Sequence, residues 1–308
     1  MVWNSRSSIL VASSFMAKTI WIDIPQDFSF RSTVYSHGWC QLAPFELDEE
    51  NWRLSYVFTD GRSAVPGVIR EEKKRLRIDL SSAKIPDKRV IADVRHILRL
   101  DDDLTGFYAA MTGHDRLGWI PEFRAGRLLR SPTVFEDLVK TICTTNCSWG
   151  LTKIMVTNLV EKLGLEAAGG KRAFPTAEAM ASVSEDFYRN EVRAGYRSPY
   201  FVELAEKVVS GELDPQSWLT SKLPTPELKK EMKKVKGVGD YAADNLLKLI
   251  GRYDGLALDS WLRSQFYKIH NNEKRCKDKK IERHYSKFGE WRGLVIWCDM
   301  TEKWVAEN

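Results

Sequence analysis

No apolar run in the chain approaches the roughly 18 residues that a membrane-spanning helix needs, so a helical span is excluded. There is no C-x-x-C pair. The five cysteines, Cys40, Cys143, Cys147, Cys276 and Cys298, are odd in number and scattered. A disulfide framework and a closed zinc site are thereby disfavoured, and reduced thiols are expected. Internal repeats and low-complexity tracts are absent. A strong charge of either sign is missing too: 47 Lys+Arg against 42 Asp+Glu leave +5, which permits a nucleic-acid partner without demanding one. With 43% hydrophobic and 29% charged residues, collagen, long coiled coil and wholesale disorder are ruled out. Tryptophan, by contrast, is plentiful: 11 among 308 residues, and such rings suit grooves that bind bases or sugars. Residues 1–22 hold no acid and five serines; residues 1–16 are read as a disordered tail or an over-extended start, with a transit segment as the alternative.

The length suggests two domains at about 150 residues each. Residues 17–95 read as strands. Trp21–Ile24 alternates loosely, Asn51–Phe58 alternates well into the turn Thr59-Asp60-Gly61-Arg62, and Arg75–Leu80 has strict period two. A short helix is expected over Phe28–Val34. From residue 88 the apolar period becomes helical, with helices expected from Asp87, then over Asp101–Met111, Val134–Cys143, Leu151–Leu163, Pro199–Ser210, Pro226–Val235, Asp240–Ile250, Ser260–His270 and Trp291–Lys303. The fold class is α+β: an N-terminal antiparallel sheet domain over 17–95, then an all-α region over 96–308.

The segment Val235-Lys236-Gly237-Val238-Gly239-Asp240-Tyr241-Ala242-Ala243 ends one helix, makes a tight two-glycine hairpin and begins another. Asp240 is expected to cap the second helix. Exposed N–H groups at such a hairpin form a phosphate site, and Ala242 and Ala243 allow close helix packing. Farther on, Asp259 stands between the apolar run Leu256-Ala257-Leu258 and the helix from Ser260. Alone it reads as an N-cap; behind a phosphate-gripping hairpin it puts a carboxylate over the sugar of a nearby nucleotide.

On these residues the chain resembles the helix-hairpin-helix DNA glycosylases. Arg127–Glu136, Ile142–Asn146 and Gly195–Tyr200 are similar to the 8-oxoguanine branch. Trp291–Trp297 is more similar to the alkylbase (3-methyladenine) branch. The resemblance implies a monofunctional DNA glycosylase of base excision repair that flips a damaged base from duplex DNA and hydrolyses its N-glycosidic bond. Asp259 would be the catalytic acid facing the deoxyribose. Tyr241 occupies the place where bifunctional members carry a lysine nucleophile, so no lyase activity is expected. Gly237, Val238 and Gly239 would hold the backbone; Asn146 would wedge into the duplex; Tyr196 and Arg197 would insert beside the partner base. His37 and Trp39 are expected to reach the base pocket from the sheet domain, or else to pack the domain interface. The resemblance further puts Leu151 where the 8-oxoguanine branch reads the opposite cytosine, and Ile296 and Met300 where it reads the purine edge and carries an aromatic, so polar readout looks absent and alkylated purines are favoured. The alternatives are an 8-oxoguanine or other oxidised or deaminated base, or an inactive lesion-binding module. No cofactor or metal is expected to be required, although the resemblance allows a monovalent cation at the hairpin. The expected partner is damaged duplex DNA, the expected state a monomer, and the expected place the cytoplasm or nucleoid, or the nucleus of a eukaryote. Two basic runs, residues 227–236 with five Lys against two Glu and residues 268–283 with seven Lys/Arg against three acids, flank the proposed site and suit phosphates.

Overall fold

The computed structural model describes residues 18–306; the reading of residues 1–16 lies outside them. Five strands, β1 (Lys18–Asp23), β2 (Glu46–Asp48), β3 (Arg53–Thr59), β4 (Ala64–Glu72) and β5 (Arg75–Leu80), form an antiparallel sheet in the order β1-β5-β4-β3-β2. The three expected strands correspond to β1, β3 and β5. β4 escaped notice because Pro66 and Gly67 interrupt its alternation, yet Val65 and Ile69 are fully buried on one face. Gly67 lies between them, and a Cβ there would come within 2.7 Å of the Phe58 ring.

The helices are α1 (Phe30–Val34), α2 (Asp87–Ile97), α3 (Thr105–Met111), α4 (Trp119–Glu122), α5 (Val134–Thr144), α6 (Trp149–Leu163), α7 (Ala177–Ala181), α8 (Glu185–Phe187), α9 (Ser198–Val209), α10 (Thr225–Met232), α11 (Asp240–Leu249), α12 (Ser260–His270), α13 (Asp278–Tyr285) and α14 (Arg292–Ala306). The architecture is α+β, as expected. The boundary expected at residue 95 falls inside α2, so the helical region starts earlier. α13 was hidden in the lysine-rich run, where Ile281 and Tyr285 alone supply its buried face.

Sheet and helices share one apolar core. A buried polar seam also joins them. On α5, Lys140 is fully buried; its Nζ donates to Glu136 Oε1 at 2.6 Å and to Ser131 Oγ at 3.3 Å. Tyr56 of β3 donates to the other Glu136 oxygen at 2.7 Å. Trp39 Nε1 donates to Asp137 Oδ1 at 2.7 Å. Tyr56 and Trp39 thus reach across to Glu136 and Asp137, which fixes the sheet domain against α5.

Candidate active site

The hairpin forms between α10 and α11. Gly237 has φ +88°, and a Cβ on it would come within 2.9 Å of the Tyr200 ring, so both conformation and crowding require glycine. Gly239 differs: its φ is −87° and nothing lies within 4 Å of a Cβ built there. Its open side faces outward beside the first turn of α11, whose N–H groups have no partner within the helix. Gly239, not Asp240, is the N-cap. Asp240 instead pairs with Lys233 at 2.9 Å and Lys229 at 3.3 Å. The Val238 side chain is buried and its N–H already donates to Val235 O at 3.0 Å, so of the expected hairpin set Val238 is spent on the turn.

Asp259 is half-buried at the N-cap of α12, and its Oδ1 accepts from Leu262 N at 2.7 Å. Two residues earlier, Ala257 holds φ +53°, a left-handed conformation that costs a non-glycine residue roughly 1–2 kcal/mol. The chain bends there and presents Asp259 at the helix start. Asp259's charge acts on two side chains of α11. Burial first, and then this carboxylate, push the Tyr241 phenol up to about 12, so it stays protonated. The second is Lys248, two turns along the same face of α11.

In the sequence Lys248, like Lys236, lies close to the hairpin but does not stand at the nucleophile position, so no role was expected of it. It is 2% exposed, and its Nζ has no hydrogen-bond partner among the described residues. The ammonium sits 5.0 Å from the centroid of the Trp297 ring, on α14. Burial pulls its pKa down to about 8, against the opposing pull of Asp244, Asp259 and Cys298. Trp297 in turn donates Nε1 to Ser36 O at 2.8 Å and lies near Trp261 (6.0 Å) and Trp304 (5.9 Å). His37 packs against Trp39 at 4.7 Å and lies 6.5 Å from Trp297. Burial lowers its pKa to about 4, and its Nε2 bonds to Leu129 O, so the ring is neutral at pH 7.

The structure therefore brings Trp297, Asp259 and His37 near Lys248, with Tyr241 beside Asp259, and it corrects two expectations. Ile296 is fully buried in the core and Met300 is 6% exposed; the half-buried aromatic of that helix is Trp297. For Trp39 the second of its two expected readings applies: it is buried, bound to Asp137, and packs the seam between sheet and α5. Arg197 does not project: it is 3% exposed and donates to the carbonyls of Ile142 and Thr145, bracing the loop after α5. That loop carries the exposed Asn146 at φ +46°, and beside it Tyr196, 49% exposed, lies over the Arg197 guanidinium at 4.5 Å. Asn146 and Tyr196 form one projecting edge.

One other cluster has donors of metal-binding type, His270, His284 and Asp299. Its buried carboxylate already accepts from Arg116 Nε at 2.7 Å and Tyr285 OH at 2.6 Å and bonds to His270 at 2.7 Å, a satisfied structural network. A surface cavity of about 260 Å³ between α1 and α14, lined by Arg31, Tyr35, Trp52, Arg124 and Trp304 among others, does not include Asp259.

No protein-family model matches the chain. A curated protein of Methanothermobacter thermautotrophicus, described as a probable N-glycosylase/DNA lyase, is 23% identical over 228 residues, 67% of this chain and 72% of that one. Among solved structures, an 8-oxoguanine glycosylase/lyase of Clostridium acetobutylicum bound to duplex DNA superposes with a TM-score of 0.71 at 21% identity, covering 92% of this chain and 93% of that one. The 3-methyladenine DNA glycosylase of Archaeoglobus fulgidus superposes with a TM-score of 0.72 at 18% identity, covering 93% and 98%. The chain carries the helix-hairpin-helix glycosylase fold, sheet domain included.

Proposed function

We propose that the protein is a DNA glycosylase of base excision repair. The observation that carries this reading is the half-buried Asp259 at the start of α12, behind a hairpin whose Gly239 side is open. Backbone N–H groups at that hairpin grip a phosphate, Asn146 and Tyr196 enter the duplex as the damaged nucleotide leaves it, and the base is taken into the site at Trp297. Asp259 then stabilises the positive charge that grows on the deoxyribose as the N-glycosidic bond breaks, and helps to orient the attacking water. Tyr241 has no amine at the hairpin position, so the reaction is hydrolysis, the product is an intact abasic strand, and the enzyme is monofunctional. The reading requires no cofactor for this chemistry; a monovalent cation at the hairpin would only help to hold the phosphate. It takes the enzyme to act on duplex DNA as a monomer. No described helix is long and apolar enough to cross a membrane.

Two readings of the base remain. The aromatic ring of Trp297 favours cationic alkylated purines. Lys248 favours neutral bases that carry carbonyl oxygens. The deciding assay is a panel of duplex oligonucleotides, each with one lesion, incubated with the protein and cleaved by alkali. Asp259-dependent release of at least one base is expected; release of none, with intact binding to every duplex, would leave only a lesion-binding module.

A further inference from the structure

We infer that Lys248 is a specificity-determining residue: its unpartnered ammonium makes the base site accept neutral, carbonyl-bearing bases and reject cationic ones. The inference rests on the glycosylase reading and goes further in naming the chemical class of base.

The argument starts from an imbalance. An ammonium has three donors, and a buried one without acceptors is strongly disfavoured. Lys248 is 2% exposed and its Nζ meets no acceptor among the described residues. It sits over the Trp297 ring, 5.0 Å from the centroid. Cysteine aside, the charged groups around it are Asp244 and Asp259, while the neighbouring His37 ring is neutral. Asp244 is already paired with Lys229 at 2.7 Å. Asp259 faces the sugar of any substrate, so its attraction cancels when two bases are compared. Burial lowers the Lys248 pKa only to about 8, which leaves the group mainly charged at neutral pH.

Two consequences follow for a base stacked at Trp297. A cationic alkylpurine is drawn to aromatic faces by the ring quadrupole. Here that ring already has an ammonium over it, so a second cation meets a like charge and a partly satisfied ring. An oxidised or deaminated purine is neutral and brings carbonyl oxygens, the acceptors that Nζ lacks. 7-Methylguanine also keeps a carbonyl oxygen, so against a neutral purine it is the like charge beside Nζ, not a missing acceptor, that discriminates.

The test uses the full chain and duplex oligonucleotides containing 7-methylguanine (cationic), 8-oxoguanine or hypoxanthine (both neutral). Single-turnover rates are divided by the spontaneous rate of loss of each base. The wild type should give its larger enhancement with a neutral base. Lys248→Met, which keeps the volume and removes the charge, should shift the ratio toward 7-methylguanine at least tenfold, while Lys248→Arg should hold it. An unchanged ratio in folded Lys248→Met overturns the inference and leaves the glycosylase reading intact, provided that release still depends on Asp259. Should Lys248→Met fail to fold, the wild type alone decides: a larger enhancement for 7-methylguanine overturns the inference. No release of any base by the wild type overturns both readings.

Discussion

Asp259 Oδ1 accepts a 2.7 Å hydrogen bond from the backbone N–H of Leu262, so the carboxylate to which the proposed function gives the chemistry also caps α12. The two roles separate by substitution. Asn caps as well as Asp but carries no charge. Asp259→Asn should retain the melting temperature and DNA affinity while losing about a hundredfold or more in single-turnover excision. Asp259→Ala should lose, in addition, about 1 kcal/mol of stability with the cap. Near-normal excision by Asp259→Asn would end the assignment.

Tyr241 stands at the hairpin with its phenol held protonated, and a phenol cannot form an imine. Incubation with lesion DNA and borohydride should trap no covalent complex, and the abasic strand should break only on added alkali. A trapped complex that vanishes in Lys248→Met would show that an amine on the same helix face does the work instead.

The unpaired ammonium of Lys248 also has a cost for the fold. Removing it should stabilise the protein, by roughly 1–3 kcal/mol if its desolvation is wholly uncompensated. Thermal unfolding of Lys248→Met should therefore show a melting temperature above that of the wild type. A lower one would mean that the ammonium contributes to the fold.

The two hairpin glycines should respond differently. Gly237→Ala meets both a φ of +88° and the Tyr200 ring at 2.9 Å, so it should lower stability and DNA affinity together. Gly239→Ala has φ −87° and open space around the new methyl. It should fold, yet bind DNA more weakly, because the methyl stands where a phosphate approaches. Titrations of both variants with duplex DNA, alongside melting curves, separate the cases.

Asp137 supplies a pH dependence. Burial raises its carboxyl from 3.8 to about 6, against the hydrogen bonds from Trp39 and Ser131. The folded protein thus holds a proton that the unfolded chain has released. Its stabilising contribution is complete below about pH 4 and is lost as the pH rises through 6. Asp93, raised to about 6 mainly by burial, acts in the same direction. Asp137→Asn keeps an acceptor for Trp39 and should melt higher than the wild type at pH 7, with the difference closing toward pH 4. A constant difference across that range would argue against the shift.

Local patterns exposed most of the architecture. The strict alternation of Arg75–Leu80 and the run Ser260–His270 appear in the structure with the same bounds. Asp259 was legible because a cap residue followed a two-glycine hairpin. What stayed hidden depended on contacts between distant segments. Nothing local says that Arg197 turns inward to the Ile142 and Thr145 carbonyls, or that Trp39 turns to Asp137. In α14 the resemblance put Ile296 and Met300 at the base site, while the ring beside Lys248 belongs to Trp297. A helix rotates about 100° per residue, so a one-residue slip exchanges a core side chain for a site side chain. Lys248 could be set aside in the sequence for a related reason: what distinguishes it is the partner it lacks among the described residues.

The 2.8 Å hydrogen bond from Trp297 to Ser36 ties the last helix to the first domain across 261 positions. Lys248 comes from the hairpin helix, Trp297 from the final one and His37 from the first domain. During synthesis the hairpin leaves the ribosome well before α14 does. Removing α14 would take away the ring over Lys248 together with the buried core side chains Leu294, Val295 and Ile296. On the glycosylase reading, a chain cut short before α14 should release no base, because the place for an extruded base is shared among segments far apart in the sequence.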